Sequence, residues 1–187
     1  DRSVSRGLGD VYKRQTLDRD TYKTAPKLIN WYRVQDVRLI KWESYHKLQK
    51  RQIYNIEPSS ETIFTDIVSF PFLLVSTMVK DVIEMYGDEV IFREIILMDS
   101  QNEIEQVYYL PVMRENLETE LSYMMNNDNM DYHKNSPQWI AKKNIFWVSQ
   151  KGERHTIISL DLAESLLHRG AIGLQLKEVR LITKDNV

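Results

Sequence analysis

Two stretches of this chain pass from strand-like to helix-like spacing of apolar positions in the same order. In the first, residues 63–75 (IFTDIVSFPFLLV) are β-branched, aromatic and apolar, with Pro71 as an interruption, and predict strand. Ser76 follows, and Val79, Val82, Ile83 and Tyr86 then recur at helical spacing. A serine at that boundary accepts a hydrogen bond from a free amide of the first helical turn, and Gly87 takes the left-handed conformation that ends a helix. VIFREIILM then predicts a strand, DSQN a turn and EIEQVYYLPVM the returning strand.

The second stretch repeats this grammar. NIFWVS and RHTIIS flank QKGE, where Gly152 marks a hairpin turn. Ser159 opens LDLAESLLHRG, a short helix closed by Gly170, with His168 and Arg169 in the last turn, where the helix dipole favours positive charge. LQLKEVRLI completes the unit. With a shift of 83 positions, Val75 falls on Ile158, Ser76 on Ser159, Val79 on Leu162, Ile83 on Leu166 and Gly87 on Gly170. Two copies are too few for a solenoid. The expectation is an α+β fold: antiparallel or mixed sheets with short packed helices, in two related strand–helix–strand lobes at about 62–113 and 144–182 of one domain spanning 16–187. Between the lobes, residues 115–138 predict a loop, opened by a short helix through Leu117, Leu121 and Met124.

The chain has 187 residues, 42% apolar and 28% charged, the composition of an ordinary globular protein. No apolar run approaches the ~20 residues that cross a bilayer, so no membrane role is expected. The absence of cysteine from the sequence removes disulfides, thiolate metal sites and cysteine nucleophiles, and cytoplasm is the simple expectation.

The opening fifteen residues, DRSVSRGLGDVYKRQ, stand apart. Residues 10–15 back-translate as GAT GTG TAT AAG AGA CAG, the end of a transposase adapter used in sequencing libraries. They are therefore expected to be translated adapter and disordered, with the natural start lost upstream of Thr16. Without them the net charge moves from −2 to about −4.

Charge is polarised along the remainder. Residues 16–51 carry nine Lys/Arg against four Asp/Glu, interleaved with Trp31, Tyr32, Trp42 and Tyr45. Residues 99–131 carry eight acidic groups against Arg114 alone. Interleaved aromatic and basic side chains are the composition of a single-stranded nucleic-acid surface, but no RNA-binding motif accompanies them, and nucleic acid is not the expected partner.

Catalytic patterns are sparse. Six glycines, two of them in the leader, form no phosphate-binding loop. None of His46, His133, His155 and His168 pairs at i, i+3 or i, i+4, so no metal or cofactor is expected. Ser76 and Ser159 lack the glycines of a nucleophile elbow and read as helix caps, while Asp81 and Glu84 read as solvated charge. No catalytic residue is assigned.

The repeated pattern resembles the myxobacterial-type immunity proteins of bacterial polymorphic-toxin systems. That family carries a strand ending in two branched residues and Ser, an amphipathic helix, a Gly-containing turn and a strand with a Glu-Val-like step. Here the residues are IISLDLAESLLHRGAIGLQLKEVRL and, in the first copy, FLLVSTMVKDVIEMYGDEVIFREIIL with YYLPVM. The segment YKTAPKLINWY is also similar to the opening of a Firmicutes branch of such proteins. The resemblance implies a non-enzymatic protein-binding domain that neutralises a cognate toxin by covering it. A structural or regulatory domain is the alternative. Since many toxins are basic, the expected partner surface is Glu103, Glu105, Glu115, Glu118, Glu120, Asp128 and Asp131, with charge reversal at Glu115, Glu118 and Glu120 slowing association. The oligomeric state is left open.

Overall fold

Both serine caps form. The computed structural model describes residues 14–17, 24–116, 119–123, 142–150 and 152–183, with the backbone course alone at 14–17, 116, 119–123, 150 and 180–183. Helix α1 (Thr77–Met85) is capped by Ser76 Oγ, which accepts from the Val79 amide at 3.3 Å. Helix α2 (Leu160–His168) is capped by Ser159 Oγ, which accepts from the Leu162 amide at 3.2 Å. Gly87 and Gly170 end them at φ +71° and +72°. Val79, Val82 and Ile83 of α1 and Leu162, Ala163 and Leu166 of α2 are buried in one core. Replacing either serine by Ala is expected to lower the unfolding free energy by about 1 kcal/mol, read from urea midpoints, with equal losses at the two sites if the caps are equivalent.

Among the described residues the strands are β1 (Arg14–Leu17), β2 (Arg51–Asn55), β3 (Ile67–Val68), β4 (Leu74–Val75), β5 (Val90–Asp99), β6 (Ile104–Met113), β7 (Glu115–Asn116), β8 (Thr119–Tyr123), β9 (Ile145–Gln150), β10 (Glu153–Ser159) and β11 (Leu176–Thr183). They form a five-stranded sheet, β2-β5-β6-β4-β3, and a six-stranded sheet, β7-β9-β10-β1-β11-β8, which with the two helices make the fold α+β. In the first sheet β4 and β5, joined by α1, both run antiparallel to β6. In the second, β10 and β11, joined by α2, both run antiparallel to β1. Each lobe is thus a strand–helix–strand crossover whose parallel strands are held apart by an antiparallel third. The filling strand follows the crossover in the first lobe and precedes it in the second.

That arrangement corrects the reading of the opening fifteen residues in part. Arg14 and Gln15 begin β1, paired to Ser159 and Ile158 on one side and to Val179 and Glu178 on the other. Main-chain groups along two facing strand edges need partners, and any extended segment supplies them, so the slot is indifferent to side chain. Residues 1–13 lie outside the described residues.

A second correction concerns residues 115–116 and 119–123; the rest of the predicted helix and loop, with Leu117 and Met124, lies outside the described residues. Helical spacing of Leu117, Leu121 and Met124 predicts a helix, yet β7 and β8 are strands. β7 runs parallel to β9 at one edge of the six-stranded sheet, and β8 runs antiparallel to β11 at the other. Only residues 117–118 separate them, so this segment closes the sheet on itself. Closure satisfies both edges at once, which outweighs a weak helical preference. It also accounts for two cores: Ile145, Trp147 and Ile158 face the main core, whereas Phe146, Val148, Ile157 and Val179 form a separate buried cluster on the opposite face.

The lobes interlock reciprocally. The Ser76 hydroxyl and amide donate to Asp66 Oδ1 and the Asp66 carbonyl at 2.7 and 2.8 Å. In the second lobe the Ser159 hydroxyl and amide donate to Asn144 Oδ1 and the Asn144 carbonyl at 3.2 and 2.8 Å. Asp66 Oδ2 then accepts from the Ile172 amide, just past Gly170, at 2.9 Å. The Asn144 amide donates to Asp88 Oδ2, just past Gly87, at 2.8 Å. Each cap corner therefore holds the chain leaving the other lobe's helix. The helices also touch, through the Tyr86 hydroxyl, 2.7 Å from the Asp161 carbonyl and 2.6 Å from Ser165 Oγ. Tyr86→Phe should cost about 1 kcal/mol in the same urea assay.

Candidate functional site

The basic aromatic segment from Thr24 to Lys50 contains little regular structure. Three short 3₁₀ turns, Trp31–Arg33, Val37–Leu39 and Tyr45–Lys47, carry it across the surface into β2. Strand β2 is an element that the sequence patterns above do not predict, although Gln52, Tyr54 and Ile56 alternate with exposed positions and are buried.

This segment and the β9–β10 hairpin bound a cleft of about 530 Å³, lined by Val37, Ile40, Pro71, Phe72, Trp147, Arg154 and His155 among others. A second, shallower hollow formed by residues 31–38 shares Val37 with it. The rim of the joined surface is apolar and exposed, with Tyr32 at 62%, Val34 at 53% and Val37 at 41%. Its charged centre is already engaged. Arg154 stacks on Trp147 with its guanidinium carbon 4.2 Å from the ring centroid, donates from Nη1 to the Ile40 carbonyl at 2.8 Å, and lies 3.6 Å from Glu115. Removal from water pulls the Arg154 guanidinium below its usual range, against the Glu115 charge that raises it.

The other aromatic side chains of the segment are consumed by packing. Trp31 meets Phe72 edge-on at 6.2 Å, Arg114 covers Trp42 at 4.5 Å, and Arg93 lies 5.4 Å from the Tyr45 ring while donating to the Tyr45 carbonyl. Trp31, Trp42 and Tyr45 are accordingly half-buried.

The acidic residues expected to act together are separated. Glu103, at φ +54°, and Glu105 occupy the tip of the β5–β6 hairpin and are exposed. Glu115 lies at the other end of β6, about 30 Å away along an extended strand, and faces Arg154. Glu120 is in β8 opposite Ile182, with its side chain outside the described set, and Glu118, Asp128 and Asp131 lie outside the described residues. The described members therefore do not form one contact surface, because a long straight hairpin carries them to opposite ends.

Asp99, also in that run, is buried and structural. It accepts from the Asn102 side chain at 2.7 Å and from the amides of Gln101, Asn102 and Ser59. The Asn102 hydrogen bond, ahead of the backbone amides, holds its carboxyl below the usual carboxylate range. A depressed native pKa means that the stabilisation is complete above the unfolded value of about 4 and is lost as pH falls through the native value. Acid titration should therefore loosen the hairpin tip first, with amide exchange at Gln101 and Asn102 accelerating before that of the β5–β6 centre. Simultaneous acceleration would contradict this.

The polar groups that the sequence singles out are engaged in the structure. Ser76 and Ser159 spend proton and lone pair on the caps. Lys80 pairs with both Glu84 and Asp81, at 2.7 and 3.4 Å, on an exposed helix face. Tyr54 and Tyr108 are held neutral by burial, which raises both hydroxyls, and they donate to Gln52 Oε1 and to the Thr65 carbonyl. No group of three His, Asp or Glu among the described residues is placed to hold a metal ion, and no described helix is long and apolar enough to cross a membrane. Compared with protein-family models, with curated proteins and with solved structures, the chain matches none.

Proposed function

We propose that this chain is a non-enzymatic protein-binding domain that neutralises a cognate toxin by covering it, as the resemblance to immunity proteins implies. The supporting observation is the pairing of exposed Tyr32, Val34 and Val37 with an adjoining cleft whose central arginine is already bonded. Large apolar side chains set beside a concavity suit recognition of a protruding partner side chain. The arginine at its centre is held by the Ile40 carbonyl and Glu115, which fixes the cleft wall against which such a side chain would pack.

The test is co-purification with the product of the neighbouring gene, followed by titration of that complex. Tyr32→Ala and Val37→Asp should each weaken binding by roughly tenfold or more, since aromatic anchors dominate interface energies. Failure of the two products to associate at micromolar concentration would end this reading. Association that ignores both substitutions would move the contact elsewhere.

A further inference from the structure

The edges of the two sheets differ in how they are covered. The six-stranded sheet closes through β7 and β8. The β3 edge of the five-stranded sheet packs against the turn at Ile172 and Gly173, where the Ile172 carbonyl accepts from the Asp66 amide at 2.9 Å. The β2 edge is covered only at its far end. There Ile29 donates to the Asn55 carbonyl at 2.9 Å and Leu28 pairs antiparallel with Ile56, before Asn30, at φ +55°, turns the chain away.

Register identifies the main-chain groups left over. Strand β2 runs parallel to β5, with Arg51 opposite Glu94 and Asn55 opposite Met98. The Glu94 amide donates to the Lys50 carbonyl and the Ile56 amide to the Met98 carbonyl, each at 3.0 Å, which fixes the phase of the ladder. Gln52 and Tyr54 therefore turn both main-chain groups to β5, while Arg51, Ile53 and Asn55 turn theirs outward. Among the described residues, the N–H and C=O of Arg51 and Ile53 have no hydrogen-bond partner, and both residues are exposed, Ile53 at 53%. Donors and acceptors alternating at this spacing match an extended backbone.

A second copy of β2 does not fit this edge. Antiparallel pairing about Gln52 sets residue 49 of each copy beside Asn55 of the other, a position that Ile29 already occupies. Shifting the register to avoid Ile29 sets Arg51 directly opposite Arg51 of the other copy, and like charges so placed repel. Charge instead selects an acidic segment. Lys47, Lys50 and Arg51 are exposed at the open end, and Arg51 is paired with Glu94. Lys47 and Lys50 have no ion-pair partner among the described residues, so carboxylates brought alongside them are attracted.

We propose that the Arg51–Ile53 edge of β2 takes up an extended segment of a partner protein as an added antiparallel strand, with carboxylates at the end that lies beside Lys47 and Lys50. The Arg51 and Ile53 main-chain groups supply the ladder, and the exposed Ile53 side chain meets an apolar residue of the segment. So short a ladder is weak by itself, and an isolated peptide binds with Kd on the order of 1 mM. The added strand uses neither Tyr32 nor the cleft and does not rest on the toxin-binding reading.

Titration of the isotope-labelled full chain with the N-acetylated, C-amidated peptide Thr-Val-Thr-Val-Glu-Glu, followed through amide resonances, is the test. Saturable shifts are expected at Arg51 and Ile53, larger than those at the centre of the β5–β6 hairpin. Ile53→Pro removes an outward N–H, which an edge strand tolerates, and should weaken binding roughly tenfold, whereas Ile53→Thr keeps the N–H and should bind within about threefold of wild type. If Ile53→Pro does not fold cooperatively, the peptide N-methylated at the residues facing β2, offered to the unaltered chain, replaces it. Exchanging both Glu of the peptide for Lys should weaken binding about threefold or more at low salt. Absence of saturable shifts at Arg51 and Ile53 overturns the proposal. So does binding that survives Ile53→Pro or N-methylation, a basic peptide that binds as well as the acidic one, or a wild-type chain that pairs with itself through β2.

Discussion

Gly173→Ala should be the most damaging alanine substitution among the described glycines, lowering stability by about 2–4 kcal/mol. Gly173 has φ +77°, where a side chain is strained, and an added Cβ would lie 2.6 Å from Thr65 Cβ and 2.7 Å from the Ile67 carbonyl oxygen. Neither neighbour can yield. Thr65 is fully buried, its hydroxyl donates to that same Ile67 carbonyl at 2.8 Å, and its own carbonyl accepts from the Tyr108 hydroxyl at 2.6 Å. Gly152→Ala is the control, because φ is +81° but nothing lies within 4 Å of the added atom. It should cost about 1 kcal/mol from backbone strain alone. Urea midpoints of the two variants separate crowding from conformation. Equal midpoints would mean that the 65–67 loop does not hold Gly173 closely.

Gly173 also shows where sequence reading stops. RGAIG reads correctly as a turn, since helix spacing, terminal glycine and following strand are local signals. That the second glycine of the turn abuts Thr65, more than a hundred positions earlier, has no local signature. The same division runs through the fold. Ser76, Gly87, Ser159 and Gly170 act on amides within a turn of themselves, so their roles are legible from spacing. The β5–β6 and β9–β10 hairpins are legible for the same reason. The slot taken by β1, and the closure made by β7 and β8, depend on edges that exist only after other strands have assembled. In residues 119–123, Thr119, Leu121 and Tyr123 alternate with Glu120 and Ser122, a strand pattern that the helical spacing of Leu117, Leu121 and Met124 obscured. The acidic run misled differently. Charge density along a sequence becomes a surface only if the backbone folds back within it, and β6 instead runs straight for ten residues.

Asp66→Ala should lower stability by about 2–3 kcal/mol, more than loss of either serine cap, because its carboxylate serves two donors from two lobes. Oδ1 receives the Ser76 hydroxyl and Oδ2 the Ile172 amide. The equivalent Asn144 offers Oδ1 to the Ser159 hydroxyl, and its contact to the other lobe runs through its backbone amide to Asp88. This difference explains why one corner carries Asp and the other Asn. A position accepting on both side-chain oxygens needs a carboxylate, so Asp66→Asn sets an amide N–H against the Ile172 N–H and should itself cost about 1 kcal/mol. Both variants keep a backbone bridge, from the Asn144 amide to Asp88 and from the Asp66 amide to the Ile172 carbonyl at 2.9 Å, but Asn144→Ala loses one side-chain hydrogen bond where Asp66→Ala loses two, and should cost less. Because each corner holds the other lobe's helix exit, damage at Asp66 should spread. In Asp66→Ala, native-state amide exchange should quicken in α2 and β10 as well as in α1, with one unfolding transition by fluorescence and circular dichroism. Exchange that quickened in α1 alone would show that the lobes open independently and that the reciprocal corners do not couple them.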